Sequence, residues 1–169
     1  MTATDLGDMV LLDSNILVYA EQQEQPKHEA ARSLRDRALT GDISACISPQ
    51  VLHEFYAVST SPRRVTAPLS PQEAAEQIRM YCRSLRLALI FPGPDIMERV
   101  LALLATTAVV GPDIHDLHLV ATMLENGVKR IYTFNTAHFK SFPGIEALTP
   151  PDPAPPPPVP PAPVVPGDP

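Results

Sequence analysis

Apolar residues along this chain follow two rhythms: short unbroken runs, and longer stretches in which they recur every three or four positions. Met9-Val10-Leu11-Leu12 is the first unbroken run, the pattern of a strand buried on both faces of a sheet. It stops at Asp13, and Ser14-Asn15 open a helical pattern carried by Ile16, Leu17, Val18 and Ala20. After Pro26 a helix is predicted from Lys27 to Leu39, with Ala30, Ala31, Leu34 and Ala38 on one face and Gly41 closing it. Ile43 to Ile47 is the second strand. Ser48-Pro49 then opens a helix bearing Val51, Leu52, Phe55, Tyr56 and Val58, an N-cap followed by proline at the first position.

A connector of turn formers, Thr60 to Ser70, contains the pair Arg63-Arg64. Ser70 and Glu73 stand at capping-box spacing ahead of a helical face of Ala74, Ala75, Ile78, Tyr81 and Cys82. Arg86 to Phe91 is the third strand, ended by Pro92-Gly93-Pro94. Asp95 to Val109 is helical with Ile96, Val100, Leu103 and Leu104 inward. The next helix takes Asp113 as N-cap, Asp116 in its first turn and a stripe of Leu117, Val120, Ala121 and Leu124. Asn126-Gly127 ends it. Lys129 to Thr133 is a strand, Thr133 to Phe139 a polar loop, and Phe142 to Leu148 holds a short edge strand. Strands separated by helices pair in parallel, so the fold expected is a three-layer α/β domain with a mainly parallel central sheet wrapped by helices.

Composition changes this picture at one place. From Pro150 to Pro169, 12 of 20 residues are proline, a stretch expected to be an extended, mobile polyproline II tail rather than folded structure. The chain therefore divides into a folded domain, residues 1–149, and a tail, residues 150–169. No apolar run is long enough for a membrane span and no basic-then-apolar leader opens the chain, so a cytosolic protein is expected. Cys46 and Cys82 are too few for a disulfide framework and are expected as reduced core thiols. The formal charge of −6 speaks against a basic coat for nucleic acid. It leaves room for an enzyme whose acids hold cations.

Three carboxylates recur at comparable places: Asp13 at a strand end, Glu54 on the helix after the second strand, and Asp116 in the first turn of a helix. Each has an ordinary explanation. Asp13 is a good N-cap, Glu54 borders an apolar face and can reach water, and Asp116 suits the helix dipole. In a parallel sheet, however, such positions converge on one rim. Gathered there, three acids raise each other's pKa values unless a cation sits among them. Oxygen ligands with open positions suit Mg2+ or Mn2+, which can activate water against a phosphodiester. Ser14, Thr133 and Asn135 could orient waters or ligands, and Asp113 could add charge.

The run Leu12-Asp13-Ser14-Asn15-Ile16-Leu17-Val18-Tyr19 resembles the opening motif of PIN-domain ribonucleases, especially VapC-type toxins of bacterial toxin–antitoxin pairs. Val51-Leu52-His53-Glu54-Phe55, Ile114 to Ala121, and Thr133-Phe134-Asn135 fit the same family in order, so the resemblance covers Met9 to Leu148. It implies a PIN fold and divalent-metal-dependent endonucleolytic cleavage of RNA. Asp13 and Asp116 match the family's metal-binding acids and Glu54 another of its acids. The fourth acidic position falls on Asn135, which leaves a second metal in doubt. The resemblance also implies a cognate antitoxin that inserts a peptide into the acidic groove, and a homodimer, for which the apolar helical surface between Ser70 and Val109 is the candidate.

Four rivals stand beside this reading. His115, Asp116 and His118 could form a zinc cluster. A phosphatase with two aspartates after its first strand would need an acid where Asn15 stands. A housekeeping RNA-processing PIN nuclease, or a PIN-like binding module impaired at Asn135, would share the fold. Arg63, Arg64 and Lys140 are candidate phosphate contacts; His28 and His138 are expected at the surface.

Overall fold

The structure, a computed structural model, describes residues 9–152. The tail expected beyond Asp152 lies outside the described residues. Five three-residue strands, β1 Val10–Leu12, β2 Ala45–Ile47, β3 Leu87–Leu89, β4 Arg130–Tyr132 and β5 Glu146–Leu148, form one sheet in the order β3-β2-β1-β4-β5. All four pairings are parallel. The helices between them are α1 Ser14–Glu21, α2 His28–Thr40, α3 Pro49–Ser59, α4 Pro71–Arg83, α5 Ile96–Leu104, α6 Ile114–Glu125 and α7 Thr136–Phe139. The three-layer parallel α/β architecture expected from the hydrophobic pattern is the one observed.

The central strand is the most apolar, and the reason is its position. Strand β1 has a neighbour on each edge and helices over its faces, and Leu11 and Leu12 are fully buried. Strand β5, at the sheet's edge, tolerates an exposed Glu146. Above β1, Ile16 and Leu17 of α1 are also fully buried, and α1 packs on both α2 and α3. An ion pair between Arg35 of α2 and Glu21 of α1, 2.6 Å apart and mostly screened from solvent, ties that contact from the side. The predicted caps form: Ser48 Oγ accepts from Val51 N at 3.3 Å, and Ser70 and Glu73 complete both halves of the capping box. The Thr60–Ser70 connector is clasped to the end of α1 by Gln22, whose amide donates to Ala67 O at 2.8 Å and accepts from Ala67 N at 3.3 Å.

Several expectations need correction. Helix α5 ends at Leu104, five residues early: Thr106 N and Thr107 N both donate to Leu103 O, folding the chain back in a tight turn. Leu104 faces outward and is 37% exposed, beside Met97 and Leu101 on the same helix. Tyr56 is also largely outside, at 38%. His28 is buried, not superficial, with Nδ1 3.1 Å from Tyr19 O where the chain turns from α1 into α2. The loop expected from Thr133 to Phe139 contains α7. Asp113 stands at the N-cap of α6 without a side-chain capping bond, because Gly111–Asp113 already form a 3-10 turn leading into it.

Cys82 is exposed, since Tyr81 takes the inward place on α4, whereas Cys46 is buried and its thiol is pushed up to about 12 by that burial. A disulfide exchange reagent is therefore expected to titrate one thiol rapidly in the native protein and the second only on unfolding. Two fast equivalents in native buffer would contradict this packing.

Candidate active site

The sheet order dictates where the site lies. From β1 the chain steps outward to β2 and β3, then returns across β1 to place β4 and β5 on the other side. The topological switch point is therefore between β1 and β4, where open α/β sheets bind ligands beyond the strands' carboxyl ends. Leu12 is registered with Tyr132, so the next residues, Asp13 and Thr133, end these two strands side by side. Asp13 N donates to Tyr132 O at 3.0 Å.

The Asp13 carboxylate is buried and held by four donors. Oδ1 accepts from Ser14 N at 2.7 Å and Ser14 Oγ at 3.3 Å. Oδ2 accepts from Thr133 Oγ1 at 2.6 Å and Asn15 Nδ2 at 2.7 Å. Asp13 caps α1, and it also lines the cleft. Thr133 is itself fully buried, and its hydroxyl accepts from Asn15 Nδ2 and from Asn135 N, each at 2.9 Å. Asn15 completes the lattice, its Oδ1 accepting from Phe134 N at 3.2 Å. Asn15, which stands at the start of the helical pattern and where a phosphatase would need its second acid, welds the loop after β4 to the start of α1.

Burial raises the Asp13 pKa to about 6; repulsion from Glu54 and Asp116 adds to the rise, against the lowering effect of the Thr133 and Ser14 bonds. Asp116, on the first turn of α6, is likewise raised, mainly by burial and further by Asp113, while His138 opposes the shift. The His138 Nδ1 lies 3.2 Å from Asp116 Oδ2. Asp13, Glu54, Asp113, Asp116 and Asn135 all line one cleft of about 1350 Å³. Glu54 and Asp113 are exposed there. Ser14 also borders the cleft but is buried and bonds back to Asp13, so it acts as a brace. Of the basic candidates, Arg64 lines the cleft.

The donor set fits a hard divalent cation. Its acids offer carboxylate oxygens, and Asp13 and Asp116 are both raised by burial and by neighbouring acids, which a cation would relieve. Among the described residues no three acidic, imidazole or thiol groups close into a cage. A divalent ion held by Asp13 and Asp116 would therefore need water to complete its shell. For the same reason His115, Asp116 and His118 do not assemble as a zinc cluster. His118 instead turns Nδ1 to Gln50 Oε1, at 2.8 Å.

A parallel sheet with buried and exposed carboxylates beyond its switch point defines a class of α/β domain built around an acidic cleft. This chain belongs to the PIN domain family, whose pattern matches residues 10–144. Ribonuclease VapC24 of Mycobacterium tuberculosis is 35% identical over 135 residues, which cover 79% of this chain and 91% of that protein. Ribonuclease VapC43 of the same species is 31% identical over 118 residues, covering 70% and 80%. Among solved structures, Mycobacterium tuberculosis VapC20, described as a sarcin-ricin loop cleaving toxin, aligns with a TM-score of 0.57 at 16% identity, covering 76% of this chain and 92% of that one. Rickettsia felis VapBC2 bound to a promoter DNA fragment aligns at 0.60 and 18% identity, covering 83% and 98%. These two likenesses establish the fold.

Proposed function

We propose that the protein is a Mg2+-dependent endoribonuclease, with Mn2+ as an acceptable substitute, and the toxin of a toxin–antitoxin pair. The observation that carries the reading is the buried Asp13 at the switch point, its pKa raised by burial and by Glu54 and Asp116. Asp13 and Asp116 would hold the ion, and Glu54 would accept the proton released by the attacking water. A bound divalent ion supplies charge neutralisation at the phosphate and a more acidic water. The protein's own work is positional. Thr133, Asn15 and Ser14 fix the Asp13 oxygens, His138 orients Asp116, and Arg64 is placed on the cleft wall to meet a phosphate.

RNA as substrate and an antitoxin as partner are supported by the ribonuclease relatives and by the VapBC neighbour. The antitoxin would place a peptide in the acidic cleft. The test is direct. Purified protein, freed of any partner, is incubated with structured RNA and Mg2+ or Mn2+ beside Asp13→Asn and Asp116→Asn. Cuts that need metal and vanish in both variants are expected. A correctly folded parent that cuts no RNA would leave a binding module, the reading that the uncharged Asn135 favours. A gene with no adjacent reading frame for a small DNA-binding partner would favour a housekeeping nuclease.

A homodimer is proposed through α5. Met97 and Leu101 are 59% and 61% exposed on one side of it, neighbouring apolar side chains that a second copy could cover. Light scattering at micromolar concentration is expected to give a dimeric mass, and Leu101→Glu a monomeric one. A monomeric parent would sink the proposal.

A further inference from the structure

One cation stands beside the cleft in a place that stability alone does not explain. Lys27 occupies the N-cap of α2 and makes no side-chain capping bond. Serine, threonine, aspartate or asparagine would cap that end, and a cation there opposes the positive pole of the helix. Its ammonium lies over two rings, 5.1 Å from the centre of Tyr19 and 4.9 Å from that of Phe134. The rings meet edge to face, their centres 5.3 Å apart. Among the described residues no carboxylate pairs with this ammonium. Glu29, two residues on, turns to Arg32 at 3.4 Å instead.

Both rings are anchored to the site already described. Tyr19 lines the cleft with Asp13 and stands six residues beyond it, about 9 Å along α1 by helical rise. Phe134 directly follows Thr133, and its N–H donates to Asn15 Oδ1 at 3.2 Å. Arg64 lines the same cleft, and its loop is tied to the end of α1 through Gln22 and Ala67.

We propose that Lys27, held by Tyr19 and Phe134, binds a phosphate of the RNA strand that flanks the one being cut. This rests on the endoribonuclease reading above. The acids of the cleft repel an incoming polyanion, and cations on its wall offset that repulsion. A phosphate oxygen would supply the counter-charge that the protein withholds from Lys27. The scissile group belongs at Asp13 and Asp116, so the offset along α1 assigns Lys27 a neighbouring phosphate. Such a contact sets the register of the strand without reading its bases. Tyr19 and Phe134 are positioning residues, which confine a long side chain before the strand arrives.

An oligoribonucleotide spanning a mapped cut is prepared with its flanking phosphates replaced one at a time by uncharged methylphosphonates. Each altered linkage carries a 2′-O-methyl ribose for chemical stability, and the reference strand carries the 2′-O-methyl group alone. One such replacement is expected to lower kcat/KM of the parent by about tenfold, the loss of one charge-assisted bond. Lys27→Met, whose side chain still packs on the rings, should lose a similar factor on the reference strand and nothing further on that analogue. Lys27→Arg should keep most of the rate, because a guanidinium also sits on aromatic faces. Tyr19→Leu should lose part of the factor on the reference strand and nothing on the analogue. The fall of log(kcat/KM) with log salt should be shallower for Lys27→Met than for the parent, by about 0.7 in slope. Losses that multiply instead of merging, equal salt slopes, or no flanking replacement that slows the parent would each overturn the proposal. Absence of any RNA cutting by the parent sinks the nuclease reading and this one with it. Cutting indifferent to Lys27 sinks this one alone.

Discussion

Asp13→Asn is expected to cut RNA at least about a thousandfold more slowly than the parent, a loss of roughly 4 kcal/mol of transition-state stabilisation, and yet to melt later in metal-free buffer at neutral pH. The two effects have one cause. The native protein keeps the Asp13 proton up to about pH 6, whereas the unfolded chain releases it near 3.8. The folded state thus binds the extra proton between those values, and its stability falls as pH rises through that window. The penalty is absent below about pH 4 and complete above about pH 6, with a ceiling of roughly 3 kcal/mol for a two-unit shift. Asparagine removes the charge but turns an NH2 toward Asn15 Nδ2, a donor against a donor, so a net gain of about 1–2 kcal/mol is the realistic figure. Urea melts of both proteins from pH 4 to 8 are the check. Curves that stay parallel across that range, or a variant less stable at pH 8, would show that Asp13 is not held against its charge. Mg2+ should reverse the order by stabilising only the parent.

Thr133→Val should destabilise the protein by about 2–3 kcal/mol and slow cleavage by about ten- to a hundredfold. The substitution barely changes shape, but it deletes a hydroxyl that donates to Asp13 Oδ2 and accepts from Asn15 Nδ2 and Asn135 N. Asn135 N–H and the Asn15 amide would be left without that acceptor, and unmade bonds cost more than made ones contribute. Because the Thr133 bond lowers the Asp13 pKa, its loss should also move the acid limb of the metal-free stability profile upward. An unchanged denaturation midpoint would mean the hydroxyl carries none of this. Thr133→Ser, which retains the oxygen, should keep most of both properties.

Much of this fold is written locally. Unbroken runs such as Met9 to Leu12 and helix openings such as Ser48-Pro49 and Ser70 to Glu73 declare themselves over a few residues, and the structure follows them. Asp13, Glu54 and Asp116 were legible because each sits at a strand end or on the early turns of a helix, places that a parallel sheet turns toward one rim. Gln50 escaped, and Asn15 and His118 drew other readings, for the opposite reason: their bonds reach partners 65, 118 and 68 residues away. Local patterning also misjudged which side of a boundary residue is wet. Cys82 and His28 sit at helix margins, where a single step around the helix exchanges core for solvent. Helix α5 misled differently, since its outward Met97, Leu101 and Leu104 continue the apolar pattern without being covered by the described residues.

The bond between Thr133 and Asp13 joins residues 120 positions apart, and its consequence concerns synthesis. A ribosome releases the first strand and its acid early, but the companion threonine emerges only when most of the domain has been translated. The cleft therefore has no working form in a nascent or prematurely terminated chain. Whatever reaction it performs begins only once Thr133 has left the ribosome and paired with Asp13.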